Sequence, residues 1–316
     1  MTPGLTPAET DGGTATSPRP PRSLGRLLRR HPRWALALTL GPALTWMLVI
    51  YVGSLVLLVV AAFFRLDPAS QKPTSDLTTD NLRDALLDTT ALRLFGQTVG
   101  IAVAVTALSV ALALPTAFFI AKIAPRWIRR GLMVGIMLPL WAGYMVKTYA
   151  WRTMVAPAGG SKFAAEGRGG GGFLQSVFGA TPGYSTAAVI ISLTYLWLPY
   201  MVLPVYAGLE RLPASLIDAS GDLGARPWRT FRSVMVPLLL PSIAAGSIFT
   251  FSLSLGDYIL PRIVIDGRQR VMFGEFINAT LGAPNQPLAA AYTILPLVMI
   301  VLYLLAMRRV GAFESL

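Results

Sequence analysis

Long apolar runs separated by short polar segments dominate the chain. A pattern of this kind predicts membrane-spanning helices. Each run contains at least one proline, which a spanning helix tolerates where neighbouring helices or a non-lipid interior satisfy the freed carbonyl groups. We therefore predict an all-α integral membrane protein with six transmembrane helices, over Trp34–Phe64, Gln97–Ala121, Leu132–Val146, Thr186–Gly208, Val236–Gly256 and Leu288–Met307.

Two of the six runs have unusual lengths. A helix over Trp34–Phe64 would be about 46 Å long, which exceeds the roughly 30 Å hydrocarbon core of a bilayer. We expect an uncleaved span that tilts or kinks at Gly41-Pro42. The third run is short, and we expect it to continue past Lys147 through Tyr149 and Trp151.

The distribution of charge predicts which side of the membrane each loop occupies. The net charge is +12, and the positive residues cluster at the ends of the apolar runs rather than along one basic surface. That pattern indicates membrane topology and argues against nucleic acid as a partner. The loop between the second and third runs has no acidic residue and four basic ones, so we expect both termini in the cytoplasm; these residues are Lys122, Arg126, Arg129 and Arg130.

Composition excludes several kinds of chemistry. Hydrophobic residues make up 54% of the chain and charged residues 13%, and there is no cysteine and one histidine. Thiolate metal sites, multi-histidine zinc sites and histidine-based triads are therefore excluded. No lysine follows the glycine pattern of a Walker loop, and a G-x-G-x-x-G match at Gly167 has no preceding strand, so we expect a non-catalytic chain with no cofactor and no metal.

The segments outside the apolar runs have different characters. Residues 1–33 read as a disordered basic cytoplasmic tail, 34–64 as the first transmembrane helix and 308–316 as a cytoplasmic C-terminus. The outer loop 65–93 predicts a short amphipathic helix because aspartates recur every fourth residue; they are Asp76, Asp80, Asp84 and Asp88. Residues 158–183 are rich in glycine and predict a mobile loop.

The loop between the fourth and fifth runs has strong local signals. Pro213 suits the first turn of a helix, Gly224 suits its end, and Pro227 suits the start of a second helix. A helix, a glycine turn and a second helix in such a loop are compatible with two roles. The loop could lie on lipid, with Trp228 at headgroup level and nearby arginines on phosphates, or its first helix could dock into a groove of a cytoplasmic partner.

This loop resembles the "EAA" loop of binding-protein-dependent ABC importer permeases. That pattern is E-A-A, three residues, G, nine residues and I-x-L-P. The chain has Asp218-Ala219-Ser220, then Gly224, then Val234-x-Val236-Pro237, at the same spacing. Aspartate replaces the glutamate, and serine replaces the second alanine.

The resemblance extends over residues 94–307 and is closest to the first permease subunit of spermidine/putrescine importers. Its further support comes from residues 146–151, 209–213, 254–261 and 272–277. It implies a type I ABC importer permease (MetI-like) fold in a bacterial inner membrane, with a coupling loop over 209–236. The ATPase-coupling residues it implies are Asp218, Ala219, Ser220, Gly224, Arg226 and Pro237.

The same resemblance implies several partners and a substrate. The partners are an ABC ATPase dimer, a second homologous permease subunit, an extracytoplasmic solute-binding protein and membrane lipid. The substrate is a polyamine or a similar small polar solute, and related permeases for iron, opines, thiamine or phosphonates share part of the pattern. An ion-coupled secondary transporter is disfavoured because the spans contain almost no mid-membrane charge, and an intramembrane enzyme because they contain no cysteine, no histidine and no metal-ligand cluster.

A cationic solute would be helped across the membrane by carboxylates and aromatic rings. Asp257, beside Tyr258 at the end of the fifth run, is the best candidate carboxylate. Tyr149, Trp151, Tyr195 and Trp197 are candidates for an aromatic lining. The alternative interpretation is a helix-end carboxylate and an interfacial aromatic belt.

Overall fold

The computed structural model describes residues 32–67, 73–157, 171–265, 271–282 and 285–311. The predicted tail up to residue 31, the glycine-rich stretch 158–170 and residues 312–316 lie outside the described residues. Five of the described helices are long and apolar enough to cross a membrane. They are α1 (Pro32–Ala61), α3 (Thr89–Phe118, extended by a π-helical turn over Phe119–Ile123), α7 (Thr186–Arg211), α10 (Val236–Leu255) and α13 (Gln286–Arg309).

The first spanning helix, α1, is helical through Gly41 and Pro42. It ends at Ala61, earlier than the predicted boundary, and Phe64 begins a short strand instead. That strand, β1 (Phe64–Leu66), pairs antiparallel with β2 (Pro73–Leu77). The amphipathic helix predicted for this segment is confirmed over Asp80–Leu87 (α2), where Ala85 faces inward.

The third apolar run forms two helices rather than one. These are α4 (Arg126–Trp141) and α5 (Tyr144–Met154), and their axes bend by 98°. The backbone becomes extended at Ala142 and Gly143, with ψ angles of 134° and 139°. The expected continuation through Tyr149 and Trp151 is therefore wrong as a single helix, although the bent pair counted as one span brings the total to six.

Helices α3, α7 and α10 pack against one another, and their facing residues form much of the hydrophobic core of the segment that follows α1. Small residues allow the close approach, as is usual between membrane helices. Ala113 and Ala117 of α3 are fully buried. A Cβ atom added to Gly246 of α10 would lie 2.8 Å from the Met201 sulfur of α7, and one added to Gly208 of α7 would collide with Ser242 of α10.

Five further short helices lie between the longer ones along the described chain. They are α6 (Phe173–Phe178), α8 (Ala214–Asp222), α9 (Pro227–Thr230), α11 (Ile259–Val264) and α12 (Phe273–Leu281). Glu275, for which the sequence offers no role, caps α12. Its buried carboxylate accepts the backbone N–H groups of Val271 and Met272 at 2.9 and 3.2 Å.

Asp88 joins the start of α3 to α13. Its carboxylate accepts the N–H groups of Thr90 and Ala91 at 2.9 and 3.1 Å, as an N-cap residue does, and the Tyr292 hydroxyl donates to it at 2.9 Å. Burial alone would raise the pKa of Asp88, but the Ala91, Tyr292 and Thr90 donors together hold the pKa below the ordinary value of an aspartate. These contacts therefore stabilise the fold fully at any pH above that ordinary value, and the stabilisation is lost as the pH falls through the folded-state pKa.

We expect Asp88→Ala to lower the free energy of unfolding by about 1 kcal/mol, the usual value of an N-cap side chain. Thermal unfolding of the purified protein in detergent measures the loss at neutral pH. The difference from the wild type should narrow in acid, because the protonated Asp88 no longer stabilises the fold. Asp84→Ala on the exposed side of α2 is the control, and an equal loss there would show that the cap is not the cause.

Candidate functional site

The loop between α7 and α10 folds as a helix, a glycine turn and a second helix, which confirms the predicted arrangement. Helix α8 ends at Asp222, Leu223 is its C-cap residue, and Gly224 adopts a left-handed backbone with φ of 76°. Its N–H donates to the Gly221 carbonyl at 2.8 Å. Pro227 then opens α9, which runs through a π-helical turn (Phe231–Met235) directly into α10.

Helix α8 presents one exposed face that mixes leucine with aspartate. Leu223 is 88% exposed, and the other exposed side chains at these positions are Ser215, Leu216, Asp218, Ala219 and Asp222. This face carries an exposed leucine beside carboxylates, and nothing in the described chain packs against it. The face therefore has the character of a docking surface.

Ser220 lies on the inner, half-buried side of α8. Its hydroxyl shares a hydrogen bond of 2.9 Å with the Thr230 hydroxyl of α9. The serine that replaces the second alanine of the family pattern thus ties the two arms of the loop together. Of the other predicted coupling residues, Arg226 and Pro237 are exposed, and Arg226 is the N-cap residue of α9.

A polar network fixes the entry to this loop. The Arg129 guanidinium at the start of α4 lies 3.3 Å from the Glu210 carboxylate at the end of α7. It also donates to the Ile120 and Ala121 carbonyls at 3.1 and 2.8 Å. The Lys122 ammonium donates to the Leu212 carbonyl at 3.0 Å, just before α8 begins. These contacts hold the segment just before α8 against α3, α4 and α7.

Asp257 occupies a second site, between α10 and α11. Its side chain is only 8% exposed. One carboxylate oxygen accepts the N–H groups of Ile259 and Leu260 at 3.1 and 3.3 Å, and the other accepts the Tyr144 hydroxyl of α5. Asp257 is thus a helix cap, and it also lines a cavity of about 280 Å³ together with Tyr144, Trp197 and Tyr258.

Aromatic rings continue away from this carboxylate. Trp197 stacks on Tyr144 with ring centroids 6.1 Å apart, and Tyr200 follows at 5.9 Å from Trp197. The Trp197 indole nitrogen is buried and has no hydrogen-bond partner among the described residues. Carboxylate and rings together form a site suited to a cation.

The predicted substrate-path residues fall into separate groups. Asp257 and Tyr258 line the same cavity. Trp151 and Tyr195 form their own pair, with centroids 5.4 Å apart, and Tyr149 is more than half exposed. Tyr144 was missed by the sequence reasoning, and its one signal was its place directly after Gly143, where the helix breaks.

Residues 108–314 match the family described as "Binding-protein-dependent transport system inner membrane component". The chain belongs to this family. It is a permease subunit of an ABC importer, a multi-pass protein of the membrane. The match covers α7, the loop with α8 and α9, and α10, so the elements described above are those of the family domain.

The sequence similarity to two known permeases agrees with this assignment. The permease is 42% identical to the "Inner membrane ABC transporter permease protein YdcU" of Escherichia coli (strain K12) over 286 residues, which are 88% of this chain and 90% of that protein. It is 28% identical to the E. coli (strain K12) "Spermidine/putrescine transport system permease protein PotB" over 66% of this chain and 74% of that protein.

A solved structure shows the same fold. The crystal structure of a bacterial alginate ABC transporter, in complex with an alginate pentasaccharide-bound periplasmic protein, superposes with a TM-score of 0.65. The alignment covers 92% of this permease and 98% of that chain at 15% sequence identity. At this identity the likeness establishes the fold alone.

Proposed function

We propose that this permease carries a polyamine, or a similar small polar solute, across a bacterial inner membrane, with both termini in the cytoplasm. A second homologous permease completes the path, two ATPase copies drive it, and an extracytoplasmic binding protein delivers the solute. The observation that carries the solute assignment is the buried Asp257 carboxylate among aromatic rings. The likeness to PotB supports it.

The exposed face of α8 would be the surface on which the ATPase acts when ATP hydrolysis changes its conformation. A short helix held by the left-handed turn at Gly224 and by the Ser220–Thr230 hydrogen bond moves as one piece with α9. The Arg129–Glu210 and Lys122–Leu212 contacts would pass its displacement to the spanning helices. This arrangement supplies the mechanical link that a permease needs when the nucleotide site belongs to another subunit.

The Asp257 site would interact with the solute cation. A carboxylate offers about four acceptor positions, and three donors occupy positions on Asp257. The remaining position can accept an ammonium group, while the faces of Tyr144 and Trp197 attract the same cation through their π electrons. A carboxylate fixed by two backbone N–H groups needs no rearrangement to do this, so less binding energy is lost in ordering the site.

We expect Asp257→Asn to separate the charge of this side chain from its capping role. The asparagine oxygen can still accept both backbone N–H groups, so the permease should fold normally. Loss of one charged hydrogen bond costs roughly 1.5–3 kcal/mol, so uptake of spermidine at low concentration should fall on the order of 10- to 100-fold. The measurement is ATP-dependent uptake by the complete transporter in proteoliposomes.

Asp84→Asn, on the exposed side of α2, is the matched control and should leave spermidine uptake unchanged. Wild-type uptake by Asp257→Asn would contradict the cation site and leave Asp257 as a helix cap alone. Failure of the wild-type complex to take up spermidine or putrescine, combined with uptake of a neutral or anionic solute, would contradict the polyamine assignment and keep the importer.

A further inference from the structure

A deep apolar groove of about 730 Å³ runs beside the helix–turn–helix loop. Its walls come from three elements: the C-terminal half of α3, the inner side of α8, and the segment from α9 to the start of α10. Thr230 carries the only hydroxyl among the lining residues, and this hydroxyl is already hydrogen-bonded to Ser220. The volume falls in the roughly 300–1,000 Å³ range of small-molecule sites, but the walls offer nothing to bind a polar solute or a nucleotide.

The groove lies where a spanning helix meets a polar loop. Its α3 wall, which includes Ala111, Leu114 and Phe118, belongs to a stretch apolar enough to cross a membrane. Its opposite wall includes Ile217 of α8, a helix that is not among the candidate spans. A ligand that fills this groove must therefore be apolar at one end and compatible with an aqueous interface at the other.

Positive charge borders the groove on one side. The segment 225–235 contains three arginines and no acidic residue, and Arg226, Arg229 and Arg232 are all exposed. At helical spacing Arg226 and Arg232 flank the face that carries the lining residues Pro227, Trp228 and Phe231, whereas Arg229 lies on the opposite face. The two aspartates of α8, Asp218 and Asp222, are exposed and are not among the lining residues. Clusters of basic residues next to a spanning helix favour anionic lipid headgroups.

We propose that this groove binds an anionic phospholipid, with an acyl chain against α3 and α8 and its phosphate beside Arg226 and Arg232. Trp228, stacked on Phe231 with centroids 5.6 Å apart, covers the junction between the two parts of the lipid. The bound lipid would hold the inner side of α8 against α3. This consequence rests on the proposed coupling role of α8, whereas the binding itself does not.

Photo-crosslinking tests the binding directly. The complete transporter is placed in phosphatidylcholine vesicles that contain phosphatidylglycerol with a diazirine on its acyl chain, and labelled peptides are mapped. We expect label on residues 111–118 and 227–235. Ala111→Trp fills the groove and should remove this label. Arg226→Gln combined with Arg232→Gln should weaken labelling at limiting lipid by roughly 30-fold.

The control removes the same charge elsewhere: Arg126→Gln combined with Arg130→Gln, exposed at the start of α4, should label as the wild type does. Equal labelling by a diazirine phosphatidylcholine, or no loss in either groove variant, would overturn the proposal. Labelling of the isolated permease that disappears in the complete transporter would also overturn it, since the groove would then be a protein interface. Loss of labelling in the groove variants with uptake at the wild-type rate would instead keep the lipid binding and contradict its consequence for α8.

Discussion

Replacing Leu223 with aspartate is expected to abolish ATP-driven uptake while the permease remains folded. The side chain is 88% exposed, so its loss removes almost no packing from the permease itself. If the α8 face docks into a cleft of the ATPase, the substitution forfeits about 1.5–3 kcal/mol of apolar burial and places an unpaired charge in the interface. Together these effects predict a loss of affinity of at least about 100-fold.

Two measurements check this expectation. One is the affinity of the detergent-purified permease for its ATPase, and the other is uptake in proteoliposomes. Leu77→Asp in β2 is the matched control, because Leu77 is 71% exposed and lies on the predicted opposite side of the membrane. Its affinity for the ATPase should not change. Wild-type affinity of Leu223→Asp would show that this face is not the docking surface.

Replacing Gly224 with valine is expected to stop transport by altering the backbone rather than by a clash. A Cβ atom at Gly224 would meet nothing within 4 Å, so there is space for a side chain. The φ of 76° is the difficulty, since the left-handed conformation costs an L-residue about 1–2 kcal/mol and is least tolerated by β-branched ones. The strain is relieved if α8 swings relative to α9, which would separate Ser220 from Thr230.

The readouts for Gly224→Val are ATPase association, solute-stimulated ATP hydrolysis and uptake, together with the thermal unfolding midpoint. We expect uptake to be lost and the unfolding midpoint to move only slightly, because the turn is exposed. Gly131→Val is the control, as Gly131 is helical and a Cβ there also meets nothing within 4 Å. ATPase association and transport at wild-type levels in Gly224→Val would contradict the coupling role of this turn.

Local signals in the sequence were sufficient to predict the helix–turn–helix loop. Pro213, Gly224 and Pro227 each restrict the backbone at their own position, so their effect does not depend on the rest of the fold. The long apolar helices were predictable for a related reason, since hydrophobic length is itself a local property. The bend at Ala142 and Gly143 was not, because Pro139 and Gly143 are compatible with both a kinked helix and a broken one.

Contacts between distant parts of the chain could not be predicted from the sequence. Arg129 and Glu210 are 81 positions apart, Tyr144 and Asp257 are 113 apart, and Asp88 and Tyr292 are 204 apart. Each pair forms only because the helices that carry it pack together. Ser220 illustrates the same limit at short range, because its role follows from the facing Thr230 hydroxyl and not from its place in the family pattern.

Cysteine labelling of α8 tests the central claim most directly, namely that this helix faces the cytoplasm and docks on an ATPase. The chain has no cysteine, so Ser215→Cys on the exposed face introduces a single reactive thiol. A membrane-impermeant maleimide should label it in inverted membrane vesicles but not in intact cells, and added ATPase should protect it. Labelling from the outside of intact cells, or no protection by the ATPase, would contradict the account.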